Sequence, residues 1–148
     1  KAWEQTDKQP GGTERRNERQ WSAVAQEDLD QASQVLSLAH PLSAGDVAVN
    51  LSILGILDFS RLPRGTTLTF EKGVVLMVEE YNPPCSRMAR YISEGHETTH
   101  GGVLGETDFI EASKFSRGLV GVVEVPGVVS VSEGVSVTPE VLPKWLRT

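Results

Sequence analysis

Thr66-Thr67-Leu68-Thr69-Phe70-Glu71-Lys72-Gly73-Val74-Val75-Leu76-Met77-Val78-Glu79 is the stretch whose reading decides the fold. β-Branched, aliphatic and aromatic residues fill both flanks, and such residues suit a pleated, half-buried surface. Thr66 to Phe70 and Val74 to Glu79 therefore read as strands, and Glu71-Lys72-Gly73 as the turn of a hairpin. Working back from it, Leu62-Pro63-Arg64-Gly65 is a turn. Before that turn, Val47, Val49, Leu51 and Ile53 alternate with Ala48, Asn50 and Ser52, a period-two pattern that predicts a strand. Earlier still, Leu29, Ala32, Val35, Leu36 and Ala39 recur at three- and four-residue spacing. They predict an amphipathic helix over 27–39, with Glu27, Asp28 and Asp30 in its first turn and His40-Pro41 at its end. Trp21 to Ala25 reads as a short strand. Working forward, Gly95 to Gly105 is a Gly- and Thr-rich loop and Glu106 to Ser116 a mixed stretch. Leu119 to Val125, Val128 to Val131 and Val135 to Val137 are further strands, separated by Pro126-Gly127 and Ser132-Glu133-Gly134. Many short strands with one long helix predict a mainly β, α+β fold: a β-barrel with a few helices.

The chain has 148 residues, which suits one domain with a sizeable core. Its expected organisation is a polar N-terminal segment or lid over 1–19, a barrel domain over 20–140 and a tail over 141–148. The net charge of −6 argues against a general nucleic-acid binder, so any anionic ligand must be held by a local cationic cluster. No apolar run approaches the ~20 residues of a membrane span, and the polar, charged N-terminus is not that of a signal peptide. The chain opens on Lys1 rather than Met, which reads as a processed or partial chain. A single cysteine excludes an intrachain disulfide and fits a reducing, cytoplasmic setting.

That cysteine lies in Asn82-Pro83-Pro84-Cys85-Ser86-Arg87-Met88. Proline belongs at or just before the first turn of a helix, so Ser86 to Ile92 is expected to be helical with Cys85 at its N-terminus. Unpaired backbone N–H groups, the helix dipole and the nearby Arg87 and Arg90 favour a thiolate, which is the nucleophile and the metal ligand. The competing reading is a buried, inert cysteine. A second motif, His96-Glu97-Thr98-Thr99-His100, fits H-E-x-x-H, in which two His on one helix face bind zinc and the Glu acts as base. The flanking Gly95 and Gly101-Gly102 and the two threonines disfavour the helix that this chemistry needs. A zinc hydrolase using His96, Glu97 and His100 is thus the minor alternative.

Four segments in order resemble the MOSC domain, named for the C-terminal domain of molybdenum cofactor sulfurase. Gly45-Asp46-Val47-Ala48-Val49-Asn50-Leu51-Ser52-Ile53-Leu54-Gly55-Ile56 resembles that family's E-N-L-x-I-x-G-I strand. Leu62-Pro63-Arg64-Gly65-Thr66 resembles L-P-x-G-x, and Asn82-Pro83-Pro84-Cys85 resembles x-x-P-C. Arg117-Gly118-Leu119-Val120-Gly121-Val122-Val123 with Pro126-Gly127-Val128-Val129 resembles R-G-x-x-G-x-V-x-x-x-G-x-V. The resemblance implies a barrel like the small domain of pyruvate kinase and binding of the molybdenum cofactor (molybdopterin). It makes Cys85 the molybdenum ligand or a sulfur acceptor, and Asn50, Arg87, Lys114 and Arg117 the candidate cofactor contacts. Two functions follow from it. One is two-electron reduction of small N-hydroxylated compounds, with electrons from a separate electron-transfer protein, because the chain has no cysteine cluster for an iron–sulfur centre. The other is a non-enzymatic sulfur or cofactor carrier working with a pyridoxal-phosphate cysteine desulfurase. A third reading is a barrel that binds some other small anion.

Overall fold

The computed structural model describes residues 16–141. The part of the expected N-terminal segment before Arg16, and the tail beyond Val141, lie outside the described residues. Among the described residues, six strands form one sheet: β1 (Trp21–Ala25), β2 (Leu51–Ile53), β3 (Thr67–Phe70), β4 (Val75–Tyr81), β5 (Leu119–Val125) and β6 (Val135–Thr138), in the order β2-β1-β5-β4-β3-β6. Three helices accompany them among the described residues: α1 (Gln26–Val35), α2 (Ser86–Gly95) and α3 (Asp108–Ala112), with a 3₁₀ turn at Phe59–Arg61.

The hairpin of β3 and β4 forms as expected, antiparallel, with Leu68 opposite Leu76. Its turn is closed by the Phe70 N–H donating to the Val74 carbonyl (2.9 Å), and Gly73 takes φ +95°, a conformation open to glycine. β1 joins β2 in parallel and β5 in antiparallel, and β5 pairs β4. Alternate residues of all six strands meet in one apolar cluster: Trp21, Ala23 and Ala25 from β1, Leu51 and Ile53, Leu68 and Phe70, Leu76 and Val78, Leu119, and Val135 and Val137. A flat sheet would not bring residues of both edge strands to one core, so the sheet is curled. β2 and β6 do not pair with each other. The architecture is therefore a half-barrel, and the closed pyruvate kinase-type barrel is not confirmed. A second core lies between the helices and the outer side of β1. It contains Val24, Leu29, Ala32, Val47, Ala89, Ile92 and Phe109.

Several expected elements differ. The first helix ends at Val35, not Ala39. Ser37 takes φ +51°, its N–H donates to the Gln34 carbonyl, and the Leu38 N–H reaches back to the Ser33 carbonyl. This Schellman arrangement satisfies the last carbonyls and stops the helix before His40-Pro41 can. The predicted strand over 47–53 shrinks to three residues. Ala48 takes φ +52°, and its N–H and that of Val49 close turns on Gly45 and Ala44. The apolar run Val128 to Val131 is not a strand.

A register shift between Val78 and Glu80 turns Glu79 inward, so that its side chain is 1% exposed. Arg16 Nη1 approaches this carboxylate at 2.9 Å and Arg64 Nη2 at 2.7 Å, as ion pairs off the angle of a hydrogen bond. A buried charge left without a partner costs several kcal/mol. Arg64→Ala alone is expected to cost about 1 kcal/mol, because Arg16 remains. Arg16→Ala with Arg64→Ala is expected to cost about 3–5 kcal/mol. Urea unfolding measures both, and a double variant no worse than the sum of two small effects would show that Glu79 does not depend on the pair.

Candidate functional site

Cys85 is the N-cap of α2. Its backbone is extended (φ −128°, ψ 160°), its carbonyl accepts the first helical bond from the Ala89 N–H (3.0 Å), and its side chain is exposed. The two prolines explain this placement. They hold the chain extended up to the point where the helix starts, and α2 then buries Ala89 and Ile92 against the second core. No side chain caps the helix N-terminus. The backbone N–H groups of its first turn therefore remain as unpaired donors around the thiol.

The segment before the cysteine is tied to Gly118. The Asn82 N–H donates to the Gly118 carbonyl (2.9 Å), and Tyr81 lies opposite Leu119 in the β4–β5 ladder. This pairing brings the Arg117–Gly118 segment against the segment that leads into Cys85. Arg117 is only 6% exposed, and its Nη2 donates to the carbonyl of Val47, on the loop ahead of β2. Its Nε and Nη1 are buried with no hydrogen-bond partner. Burial pushes the guanidinium below its ordinary pKa, and the electrostatics of Cys85 and then Tyr81 oppose that shift.

The backbone on both sides of Arg117 is pinned. The Gly118 N–H donates to Ser60 Oγ (3.0 Å), and Ser60 Oγ donates to Asp28 Oδ2 of α1 (2.9 Å). Burial raises the Asp28 pKa, and the Ser60 bond opposes that rise. On the other side, the Phe115 N–H donates to the Tyr81 hydroxyl (2.9 Å). Ser60, Arg61, Leu62, Tyr81 and Phe115 line a cavity of about 500 Å³ between these two tethers. Cys85 lies outside that lining.

The other candidate contacts fall differently. Arg87 is exposed in the first turn of α2, two residues from the thiol, and Arg90 is exposed one turn on. Lys114 is exposed, with Nζ 5.4 Å from the centre of the Phe115 ring. Asn50 is committed elsewhere: its Oδ1 accepts from the Ser22 N–H (2.9 Å) and from Ser22 Oγ (3.1 Å), which stitches β2 to β1. It also lines a separate cavity at the sheet edges, with Ser52, Val131 and Val135. Of the four expected cofactor contacts, Arg117 is the one that is buried with unpartnered nitrogens. Tyr81, Ser60 and Phe115 were not among the sequence candidates.

The zinc reading needs correction. α2 ends at Gly95, His96 is extended, and Thr98 forms an isolated bridge with Leu38, so His96 and His100 do not share a helix face. His96 Nε2 lies 3.4 Å from Asp46 Oδ1. Among the described residues, no three His, Cys, Asp or Glu side chains gather as a metal cluster. None of their helices is long and apolar enough to cross a membrane.

No family model matches the chain. A Bacillus subtilis (strain 168) protein described as "Putative metal-sulfur cluster biosynthesis proteins YuaD" is 26% identical over 126 residues, 85% of this chain. The chain spans 64% of that relative's length. The crystal structure of YuaD from Bacillus subtilis superposes with a TM-score of 0.78 at 25% identity, over 87% of this chain and 69% of that one. These findings correct the resemblance drawn from the motifs. The chain is not assigned to the MOSC domain, because no model matches it and the relative found is described by metal-sulfur cluster biosynthesis instead.

Proposed function

We propose that this chain is a sulfur-transfer component of metal-sulfur cluster biosynthesis, with Cys85 as the acceptor thiol. One observation carries the reading: the single cysteine is exposed at the uncapped N-terminus of a helix. The description of the Bacillus relative supports it. In the transfer, the Cys85 thiolate attacks the outer sulfur of a donor persulfide. The donor's S–S bond breaks, its electron pair leaves with the donor thiolate, and a persulfide forms on Cys85. Delivery to an acceptor thiolate is the same exchange run onward, so no oxidant or reductant is consumed. The chemistry requires a nucleophile with ready access to solvent partners, which the exposed N-cap provides. Reduction of N-hydroxylated compounds and molybdenum ligation are set aside with the resemblance that carried them.

The test is intact-mass and peptide mass spectrometry of the full chain after incubation with an organic persulfide, or with cysteine and a cysteine desulfurase. The expected result is one added sulfur atom, mapped to the peptide containing Cys85. A chain that gains no sulfur from either donor is not a sulfur carrier.

A further inference from the structure

Phe115 is 58% exposed and sits at φ +65°. Core packing does not account for a ring left in water, and a left-handed backbone strains a bulky side chain. Such strain gathers at ligand clamps. The fold maintains it here: the Phe115 N–H donates to the Tyr81 hydroxyl (2.9 Å), and the two rings lie 6.3 Å apart, tilted by 39°. Both rings line the cavity of about 500 Å³, together with Ser60, Arg61 and Leu62. That size falls within the roughly 300–1,000 Å³ of small-molecule sites, and the lining has their character: apolar and aromatic walls with few polar groups. Ser60 is spent on Asp28 and Gly118. Arg61 is exposed, and no acidic residue is among the described residues of the lining. Asp28 acts on Arg61 from outside the lining, but its carboxylate is already held by Ser60. Lys114 brings a second positive charge, its Nζ 5.4 Å from the centre of the Phe115 ring.

We propose that this cavity binds a small aromatic carboxylic acid, its ring against Tyr81 and Phe115 and its carboxylate at Arg61, with Lys114 adding charge beside the Phe115 ring. A planar ring covers aromatic surface that otherwise faces water. A carboxylate matches the fork of a guanidinium. The net charge of −6 opposes each negative charge brought to the chain, so a singly charged acid suits the site better than a dianion such as a phosphate monoester. Cys85 does not line this cavity, so the proposal goes beyond the carrier reading and is tested without sulfur chemistry.

The experiment titrates the full chain with indole-3-acetate in a calorimeter, with indole-3-acetamide as its neutral twin and acetate as the acid without a ring. The expected result is one site per chain with Kd below about 1 mM for indole-3-acetate, and binding about tenfold or more weaker for each control. Arg61→Gln is expected to bring indole-3-acetate down to the affinity of the amide. Phe115→Gly removes the ring and relieves the left-handed strain. It is expected to melt within about 4 °C of the parent or above it, and to weaken indole-3-acetate about tenfold or more. Phe115→Tyr keeps the ring and is expected to stay within about threefold. Equal affinity for acid and amide, no binding of indole-3-acetate up to about 10 mM, or full affinity in Phe115→Gly overturns the proposal. Should Phe115→Gly unfold, the acid-against-amide comparison on the unaltered chain and the Arg61→Gln titration decide it. None of these outcomes bears on sulfur uptake at Cys85.

Discussion

Gly118→Ala is expected to lower the thermal midpoint by on the order of 10 °C or more and to slow sulfur loading even where the variant stays folded. Gly118 sits at φ +97°, where an L side chain is strained. A Cβ there would run into the carbonyl oxygen of Ala23 and stand 3.1 Å from the Val24 Cα, both backbone atoms of β1. Backbone in a paired strand cannot step aside as a side-chain tip can. The left-handed strain costs about 1–3 kcal/mol. Overpacking against a fixed neighbour adds a similar amount. Against a total stability of about 5–15 kcal/mol this is a large share. The same residue donates to Ser60 and accepts from Asn82, so a shift of its backbone moves Arg117 and the cysteine segment together. Thermal unfolding by circular dichroism checks the first effect. A midpoint within about 2 °C of the parent would show that the close approach of β1 to Gly118 does not constrain the fold.

Cys85→Ser is expected to do the reverse: to abolish sulfur uptake and leave stability unchanged or slightly higher. The thiol is exposed and makes no cap bond, so little packing is lost. Serine is a favoured N-cap residue, and its hydroxyl can accept from a first-turn N–H of α2, worth up to about 1 kcal/mol. Mass spectrometry after persulfide treatment and a thermal melt read the two effects separately. Sulfur still found on the variant would place the acceptor elsewhere, and a large fall in the midpoint would make the cysteine structural.

Local chemistry made much of the fold legible. Turn residues and alternation specify the hairpin from β3 to β4, and β5 matches its apolar run over Leu119–Val125. Proline placement foretells the start of α2. Where the alternation misleads, long-range contacts decide. Val47 is buried under the helices while Ala48 turns left-handed, so the apparent strand before Asn50 becomes a loop. Val128 to Val131 has the strand pattern but no strand pairs it. The site was legible only in part. Cys85 stands out because it is single and follows two prolines. Arg117 was one of three cations among four candidate contacts, and what holds it in place is the Val47 carbonyl, 70 residues away in sequence. No local pattern encodes that. Tyr81 and Ser60 resemble ordinary strand and loop residues until Phe115 and Gly118 are brought to them.

Among the described residues no further strand pairs the rims of the half-barrel, and their length bears on how these molecules behave in a crowd. A free β edge can recruit an identical edge from a neighbour and start a growing stack. Here the two rims are three and four residues long, Leu51–Ile53 and Val135–Thr138, too short to template more than a few bonds. Rims this short offer little for an edge-to-edge stack to grow on.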